Sequence, residues 1–118
     1  MPNPPDLLIL RDKLRAFAAE RDWDQFHSPK NLSMALMVEA AELMEHFQWL
    51  TEAQSASLSA ENKQAVSEEL ADILLYLVRL SDKLDIDLLG AALRKLEKNA
   101  LKYPAEQVRG SAKKYSDY

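Results

Sequence analysis

The sequence predicts an all-α fold: a bundle of four main helices with short connections, in a single domain spanning residues 1–118. Four stretches carry apolar residues at the spacing of an amphipathic helix, and no stretch alternates apolar and polar residues as a half-buried strand does. Apolar residues make up 47% of the chain and charged residues 29%, which is typical of a globular domain.

The composition argues against several classes of function. Cysteine is absent, so the chain has no disulfide framework, no thiolate metal site and no cysteine nucleophile. No apolar run approaches the roughly 20 residues of a membrane span, and the polar, proline-rich start lacks the apolar region of a signal peptide. The net charge of -4 argues against a general affinity for DNA or RNA. We therefore expect a cytoplasmic protein with no nucleic-acid partner and no membrane partner.

The first helix is predicted over residues 7–21, with Asp6 as its N-cap. The segment after it, residues 22–30, has no helical period but places Trp23, Phe26 and His27 close together. Two interpretations of this segment stay open. Either the loop folds over the core and packs its rings there, or it forms the wall of a binding pocket, because loops on a rigid scaffold often carry ligands.

The second helix is predicted from Ser28-Pro29, an N-cap followed by proline at the first helical position, to about residue 49. Its apolar arc contains an acid, since Glu39 falls among the inward positions and Glu42 lies at the edge of the arc. Acids three residues apart lie one above the other on a helix. A charge on the core-facing stripe breaks the pattern of the helix, and such breaks often mark functional sites.

The opposite face of the second helix is also apolar and carries Met34, Met37 and Met44. A helix that is apolar on two faces is expected to be buried on both. Either the fourth helix covers this methionine face, or the face is a subunit interface, for which methionine is an adaptable filler. The second interpretation predicts a homo-oligomer.

The third helix, predicted over residues 60–84, carries a second acidic pair with the same spacing, Glu69 and Asp72. Tyr76 follows Asp72 by four residues and therefore stands directly above it. A charged stripe is usually only the solvated face of a helix. A helical bundle, however, can bring this pair against the matching pair on the second helix, which favours a shared site.

The fourth helix, predicted over residues 88–101, presents a polar stripe that includes Lys95 and Asn99, and it ends at Tyr103 because proline follows. The tail, about residues 105–118, is basic and contains Arg109 and Lys114. It is either a frayed terminus or a flexible arm that closes on an anion.

Four inward carboxylates need a counter-charge. Two acids about 4 Å apart repel by about 4 kcal/mol at an effective dielectric constant near 20. A cation between them removes this cost, and ligands that are all oxygen select hard cations, Mg²⁺ first and Mn²⁺ or Ca²⁺ next. Mg²⁺ completes its coordination shell with waters and substrate phosphates, so the acids point to phosphate chemistry. The chain has no glycine-rich phosphate loop and is therefore not a P-loop enzyme.

These acids also carry a resemblance to a known family. The chain resembles the MazG-like all-α nucleoside triphosphate pyrophosphohydrolases and, among them, is most similar to the dCTP pyrophosphatases. The family motif E-x-x-E, spacer, E-x-x-D reads here Glu39-Ala40-Ala41-Glu42, then 26 intervening residues, then Glu69-Leu70-Ala71-Asp72. The similarity covers nearly the whole chain through Glu20-Arg21-Asp22-Trp23, Gln25-Phe26-His27, Phe47-Gln48-Trp49, Tyr76-Leu77-Val78, Tyr103-Pro104 and Arg109-Gly110-Ser111-Ala112.

The resemblance implies hydrolysis of a nucleoside triphosphate, dCTP or a modified dCTP, to the monophosphate and pyrophosphate. It implies that Mg²⁺, with Mn²⁺ as a possible substitute, is held by the catalytic acids Glu39, Glu42, Glu69 and Asp72. It also implies a dimer or a tetramer. By position, the residues around the base would be Trp23, His27, Trp49 and Tyr76, and those around the triphosphate Lys95, Asn99, Tyr103, Arg109 and Lys114.

Three alternatives are kept beside this interpretation. Animal members of the family have a histidine where this chain has Leu14, so a pyrophosphohydrolase with a different or broader base preference stays open. A non-catalytic helical interaction module would explain the methionine face but not the inward acids. A di-iron bundle would need E-x-x-H pairs on its helices, whereas Glu42 and His46 are four residues apart.

Overall fold

The computed structural model of the protein describes residues 6–112, which contain α-helices and one short 3-10 helix at Asp24–Phe26. In chain order the helices are α1 Leu7–Glu20, α2 Pro29–Glu45, α3 Glu52–Ser55, α4 Ala60–Lys83, α5 Leu88–Lys102 and α6 Ala105–Val108. No β-strand occurs within these residues, and the predicted all-α fold is confirmed.

Helix starts follow the capping residues that the sequence indicated. The Asp6 side chain accepts a hydrogen bond from the Ile9 backbone N–H at 3.0 Å, and α1 begins at the next residue. Ser28 accepts from the Asn31 N–H at 3.1 Å, with Pro29 at the first helical position of α2. Such caps satisfy N–H groups that have no partner within the helix, and each contributes about 1 kcal/mol.

Two short helices are missing from the sequence prediction. α2 ends at Glu45 rather than near residue 49, and the connection that follows contains α3. α3 is closed by a capping box: the Thr51 hydroxyl accepts from the Gln54 N–H at 3.1 Å, and the Gln54 side chain accepts from the Thr51 N–H at 3.0 Å. The other is α6 in the tail. Helices of four residues are too short to show a hydrophobic period, and capping chemistry is their available signal.

The described residues divide into two compact units, one before and one after the junction of Ile86 and Asp87. In the first unit α4 is the central element, packing most extensively against α2 and also against α1. The buried apolar side chains belong to these three helices: Ala18, Leu32, Val66 and Val78. Because α4 contacts both other helices, its residues and those of α2 are held in fixed register.

The second unit contains α5 and α6. Asp87 caps α5 by accepting from the Gly90 N–H at 3.1 Å. α5 ends as predicted at the Tyr103-Pro104 step, where the Tyr103 N–H donates to the Asn99 carbonyl at 2.8 Å. Proline at the next position cannot continue the helix, since it lacks an N–H and restricts the residue before it.

The methionine face of α2 stays exposed in the single chain. Met34, Met37 and Met44 have 58%, 68% and 57% of their surface accessible. On α4 Leu70 is also exposed. Separately, none of the described helices is both long and apolar enough to cross a membrane.

Candidate functional site

The packing of α2 against α4 brings the two acidic motifs together. Glu39 of α2 and Glu69 and Asp72 of α4 each offer a carboxylate oxygen, and these three oxygens lie within 4.8 Å of one another. Helical spacing places the two acids of α4 on one face, and the pairing of the helices supplies the third. The sequence-derived expectation that the two stripes meet is thus fulfilled in the geometry of the first unit.

Two oxygens of this cluster are buried without a hydrogen-bond partner, Glu39 Oε2 and Glu69 Oε2. Burial, followed by hydrogen bonding and repulsion from Glu42, raises the pKa of Glu39 to about 7. Burial and the charge of Glu42 likewise raise the pKa of Glu69 above its ordinary value. Glu42 is therefore close enough to affect the charges of Glu39 and Glu69, although it lies outside the group of three close oxygens.

This arrangement fits a divalent metal ion. A buried carboxylate oxygen with neither a donor nor a counter-ion is unfavourable, and it is usually paired or bound to a metal in a native protein. A ligand set made only of carboxylate oxygens suits a hard cation. Within the described residues, the cluster of Glu39, Glu69 and Asp72 is the group of acids close enough to share an ion.

Tyr76 lies beside the acids, one turn beyond Asp72 on α4. Its pKa is raised first by burial and then by the negative charges of Glu39, Asp72 and Glu42. A phenol with a raised pKa stays protonated at neutral pH and can donate a hydrogen bond. Tyr76 therefore offers an aromatic face and an O–H donor next to the carboxylates, as its position in the sequence indicated.

The aromatic segment between α1 and α2 packs only partly. Trp23 meets Phe17 edge to face with ring centroids 5.7 Å apart, and His27 at 6.5 Å. Trp23 nevertheless keeps 45% of its surface accessible, and Phe26 keeps 59%. The segment is thus held against α1 by Trp23, while both ring systems keep exposed surface that a ligand can contact.

An ion-pair network behind this segment was missed by sequence reasoning. Arg79 of α4 is only 6% exposed, donates to Asp24 at 2.5 Å, and lies 3.6 Å from Asp82. Lys83 also reaches Asp24, and Arg15 of α1 donates to Asp82. A charged stripe is usually the solvated face of a helix, whereas on α4 Arg79 is buried beneath residues of the aromatic segment and α1. The available signal was the presence of Asp24 and His27, two partners for a guanidinium, in the preceding loop.

The remaining predicted site residues are placed as follows. Trp49 follows α2 and is 86% exposed. Lys95 and Asn99 lie on α5, Tyr103 follows α5, and Arg109 follows α6, all within the second unit. Lys114 lies outside the described residues. The assignment of these five residues to the triphosphate therefore stays a prediction.

Comparison with known proteins is consistent with the acidic site. The profile of the MazG-like family matches residues 34–118. The chain is 44% identical over 115 residues to dCTP pyrophosphatase 1 of Rattus norvegicus, covering 96% of this chain and 68% of the relative. It is 45% identical over 117 residues to dCTP pyrophosphatase 1 of Bos taurus, covering 98% and 69%. The crystal structure of a pyrophosphatase from Archaeoglobus fulgidus superposes with a TM-score of 0.72 at 38% identity, covering 88% of this chain and 97% of that one.

Proposed function

Because the chain belongs to the MazG-like family, we propose that it is a pyrophosphohydrolase that converts dCTP and water to dCMP and pyrophosphate. The observation that carries this proposal is the cluster of Glu39, Glu69 and Asp72, with two buried oxygens that have no partner. The similarity to dCTP pyrophosphatases supports cytosine as the base of the substrate. The acid cluster supports phosphate chemistry assisted by a metal ion.

We propose Mg²⁺ as the ion, with Mn²⁺ as a substitute, held by Glu39, Glu69 and Asp72 with Glu42 beside them. When bound, the ion supplies positive charge that offsets the negative charge of the phosphate oxygens. The carboxylate oxygens are already close together before the substrate binds, so these side chains need to move little when it arrives. All four residues come from two packed helices rather than from loops, which favours a precise geometry.

The chemical step forms a bond between the water oxygen and the α-phosphorus and breaks the bond from the α-phosphorus to the bridging oxygen. Pyrophosphate leaves with the electrons of that bond. We propose that Glu42 accepts the proton of the attacking water, since it is the carboxylate beside the cluster that lies outside the group of three close oxygens. A general base must come within hydrogen-bond reach of the water that it deprotonates, and a carboxylate outside the ligand set of the ion is better suited to this than one within it.

For the rest of the substrate, the proposal follows the resemblance. Trp23, His27, Trp49 and Tyr76 would surround the base, and Lys95, Asn99, Tyr103, Arg109 and Lys114 would hold the triphosphate. The exposed surfaces of Trp23 and Trp49 support the first set, because an exposed aromatic ring can stack on any nucleobase. The absence of cysteine suits a reducing compartment, and we propose that the enzyme works in the cytoplasm.

We further propose that the protein is a homo-oligomer, a dimer or a tetramer. Its support is the exposed methionine face of α2, formed by Met34, Met37 and Met44. An apolar face of this kind on a helix is more often covered by a partner than left in water. A second copy of the chain is the simplest partner, since most soluble oligomers are symmetric homo-oligomers.

The test is an assay of pyrophosphate release from dCTP, 5-methyl-dCTP, dUTP, dATP and dGTP, with Mg²⁺ and with EDTA. We expect activity on dCTP with Mg²⁺, at least equal activity on 5-methyl-dCTP, and none with EDTA. Glu42→Gln is expected to lose turnover while it still binds Mg²⁺ in calorimetry. Equal rates on purines and pyrimidines would reject the dCTP preference and keep the reaction, whereas no pyrophosphate from any nucleotide would reject the reaction itself.

A further inference from the structure

The side chain of Arg79 makes an unusual contact with a histidine. Its Nε–H donates a hydrogen bond to His27 Nδ1 at 3.1 Å, while its terminal nitrogen donates to Asp24 at 2.5 Å. The guanidinium is only 6% exposed, so its orientation is fixed by surrounding atoms rather than by water. Arg79 therefore connects the core helix α4 to two residues of the aromatic segment.

This contact determines which ring nitrogen of His27 carries the proton. A guanidinium has only N–H donors and no acceptor, so the nitrogen facing it must present a lone pair. His27 Nδ1 is consequently unprotonated and the ring is neutral, which leaves its proton on Nε2. The same conclusion follows from electrostatics, because burial and then the charges of Arg79 and Lys83 lower the pKa of His27 below its ordinary value.

The protonated side of the ring makes no hydrogen bond that would compete with a ligand. Among the described residues, no group accepts a hydrogen bond from His27 Nε2, and the residue is only half-buried. The ring stands beside Trp23, with centroids 6.5 Å apart and an interplanar angle of 63°. A base that contacts the exposed surface of Trp23 would thus lie near an N–H donor whose direction is fixed by the contact with Arg79.

We propose that Arg79 is a positioning residue that sets His27 as an Nε2–H donor, and that this donor selects cytosine over uracil at ring atom N3. The inference deepens the proposed function and rests on it. Cytosine N3 carries a lone pair and accepts a hydrogen bond, whereas uracil N3 carries a proton and opposes the donor. Sites built to hydrogen-bond one edge reject the unmatched base because a polar group is left unpaired.

The tautomer is measured first, on the full-length wild-type protein without nucleotide. Nitrogen-15 NMR of the imidazole rings distinguishes a protonated from an unprotonated nitrogen, and the chain has 2 histidines, so His46 serves as the internal reference. We expect an unprotonated Nδ1 and a protonated Nε2 for His27 at pH 7.5. An Nδ1–H tautomer or an imidazolium at that pH would overturn the proposal.

The contact with the base is measured next, still on the wild-type protein. Non-hydrolysable analogues of dCTP and dUTP with an imido bridge between the α- and β-phosphates are added with Mg²⁺. We expect the Nε2–H resonance of His27 to move with the dCTP analogue and not with the dUTP analogue. If neither analogue moves it, or if both move it alike, His27 does not read N3.

A pair of variants then isolates the role of Arg79. Arg79→Met removes the donor to His27, while Lys83→Met removes a cation from the same Asp24 carboxylate and leaves the hydrogen bond to His27 in place. We expect the ratio of kcat/KM for dCTP to that for dUTP to fall about tenfold in Arg79→Met and to stay unchanged in Lys83→Met. A tenfold fall corresponds to about 1.4 kcal/mol, which is the size expected for one lost hydrogen bond. Equal ratios in wild type and a folded Arg79→Met would contradict the proposal. The two NMR measurements decide it if Arg79→Met does not fold. If the wild-type protein released no pyrophosphate from any nucleotide, the proposed function would be rejected. The NMR measurement of the His27 tautomer would still test the role of Arg79 separately.

Discussion

Glu39 Oε2 of α2 and Glu69 Oε2 of α4 are both buried at the contact of these two helices, and neither atom has a hydrogen-bond partner. Each belongs to a separate E-x-x-[E/D] motif, and the motifs are brought together by the packing of α2 on α4. Two such oxygens stabilise the fold poorly by themselves. The arrangement therefore fits the binding of a cation better than it fits a contribution to the stability of the helix pair.

The first prediction concerns the substitution Glu39→Gln. It removes one charge from a repelling group, so we expect a Tm in EDTA equal to or above that of wild type, together with loss of the rise in Tm that Mg²⁺ causes. Pyrophosphate release should be abolished. Glu68→Gln is the matched control, since Glu68 is exposed on α4 next to Glu69 and should keep the response to Mg²⁺. Near-normal turnover of Glu39→Gln would remove this residue from the mechanism.

The second prediction concerns the pH dependence of stability without metal. The folded protein raises the pKa of Glu39 from 4.5 to about 7, so between these pH values the folded state binds more protons than the unfolded state. Stability that is present below pH 4.5 is then lost as the pH rises through about 7. Urea unfolding in EDTA should show this contribution falling from pH 5 to pH 7.5 in wild type and missing in Glu39→Gln. The same slope in both proteins would contradict it.

The third prediction concerns assembly through the methionine face. Light scattering of the wild-type protein should give at least a dimer. Met37→Glu would bury an unpaired charge in the interface and should dissociate or unfold the protein. Met37→Leu keeps the residue apolar at similar volume and should leave the assembly intact. A monomeric wild-type protein with full activity would reject the interface.

The fourth prediction concerns Trp49, which is 86% exposed. Because the ring buries little surface in the free chain, Trp49→Ala should change the free energy of unfolding by no more than about 0.5 kcal/mol. If the ring stacks on the base, the substitution should weaken binding of every nucleotide by roughly 1–3 kcal/mol. Leu8→Ala, which removes another exposed apolar side chain, is the control. Unchanged Kd values across dCTP, dUTP and dATP would place Trp49 outside the site.

Local chemistry explains what could be predicted from the sequence. Asp6, Ser28 and Pro29 predict helix starts because capping involves only residues within about one turn of each other in the chain. Glu39 was found because an acid on an apolar stripe conflicts with the helical pattern, and such a conflict is visible without a structure. Glu69 was found because it forms, with Asp72, a second acidic pair of the same spacing. The all-α fold followed from the same periodicity.

Most of what was missed depends on contacts between distant residues. Arg79 lies 55 residues from Asp24 and 52 from His27, and nothing in the helical period of α4 shows that a loop will cover it. The methionine face of α2 could be recognised as apolar, but whether it stays open depends on the arrangement of other chains. Thr51 and Gln54 could have revealed α3, since the capping box is a local signal.

The most direct test of the central claim is pyrophosphate release from dCTP by the purified protein at pH 7.5, with Mg²⁺ and with EDTA, beside Asp72→Asn under the same conditions. We expect one pyrophosphate and one dCMP for each dCTP consumed with Mg²⁺, and no product either with EDTA or from Asp72→Asn. Release of inorganic phosphate instead of pyrophosphate, or equal turnover by Asp72→Asn, would contradict the account.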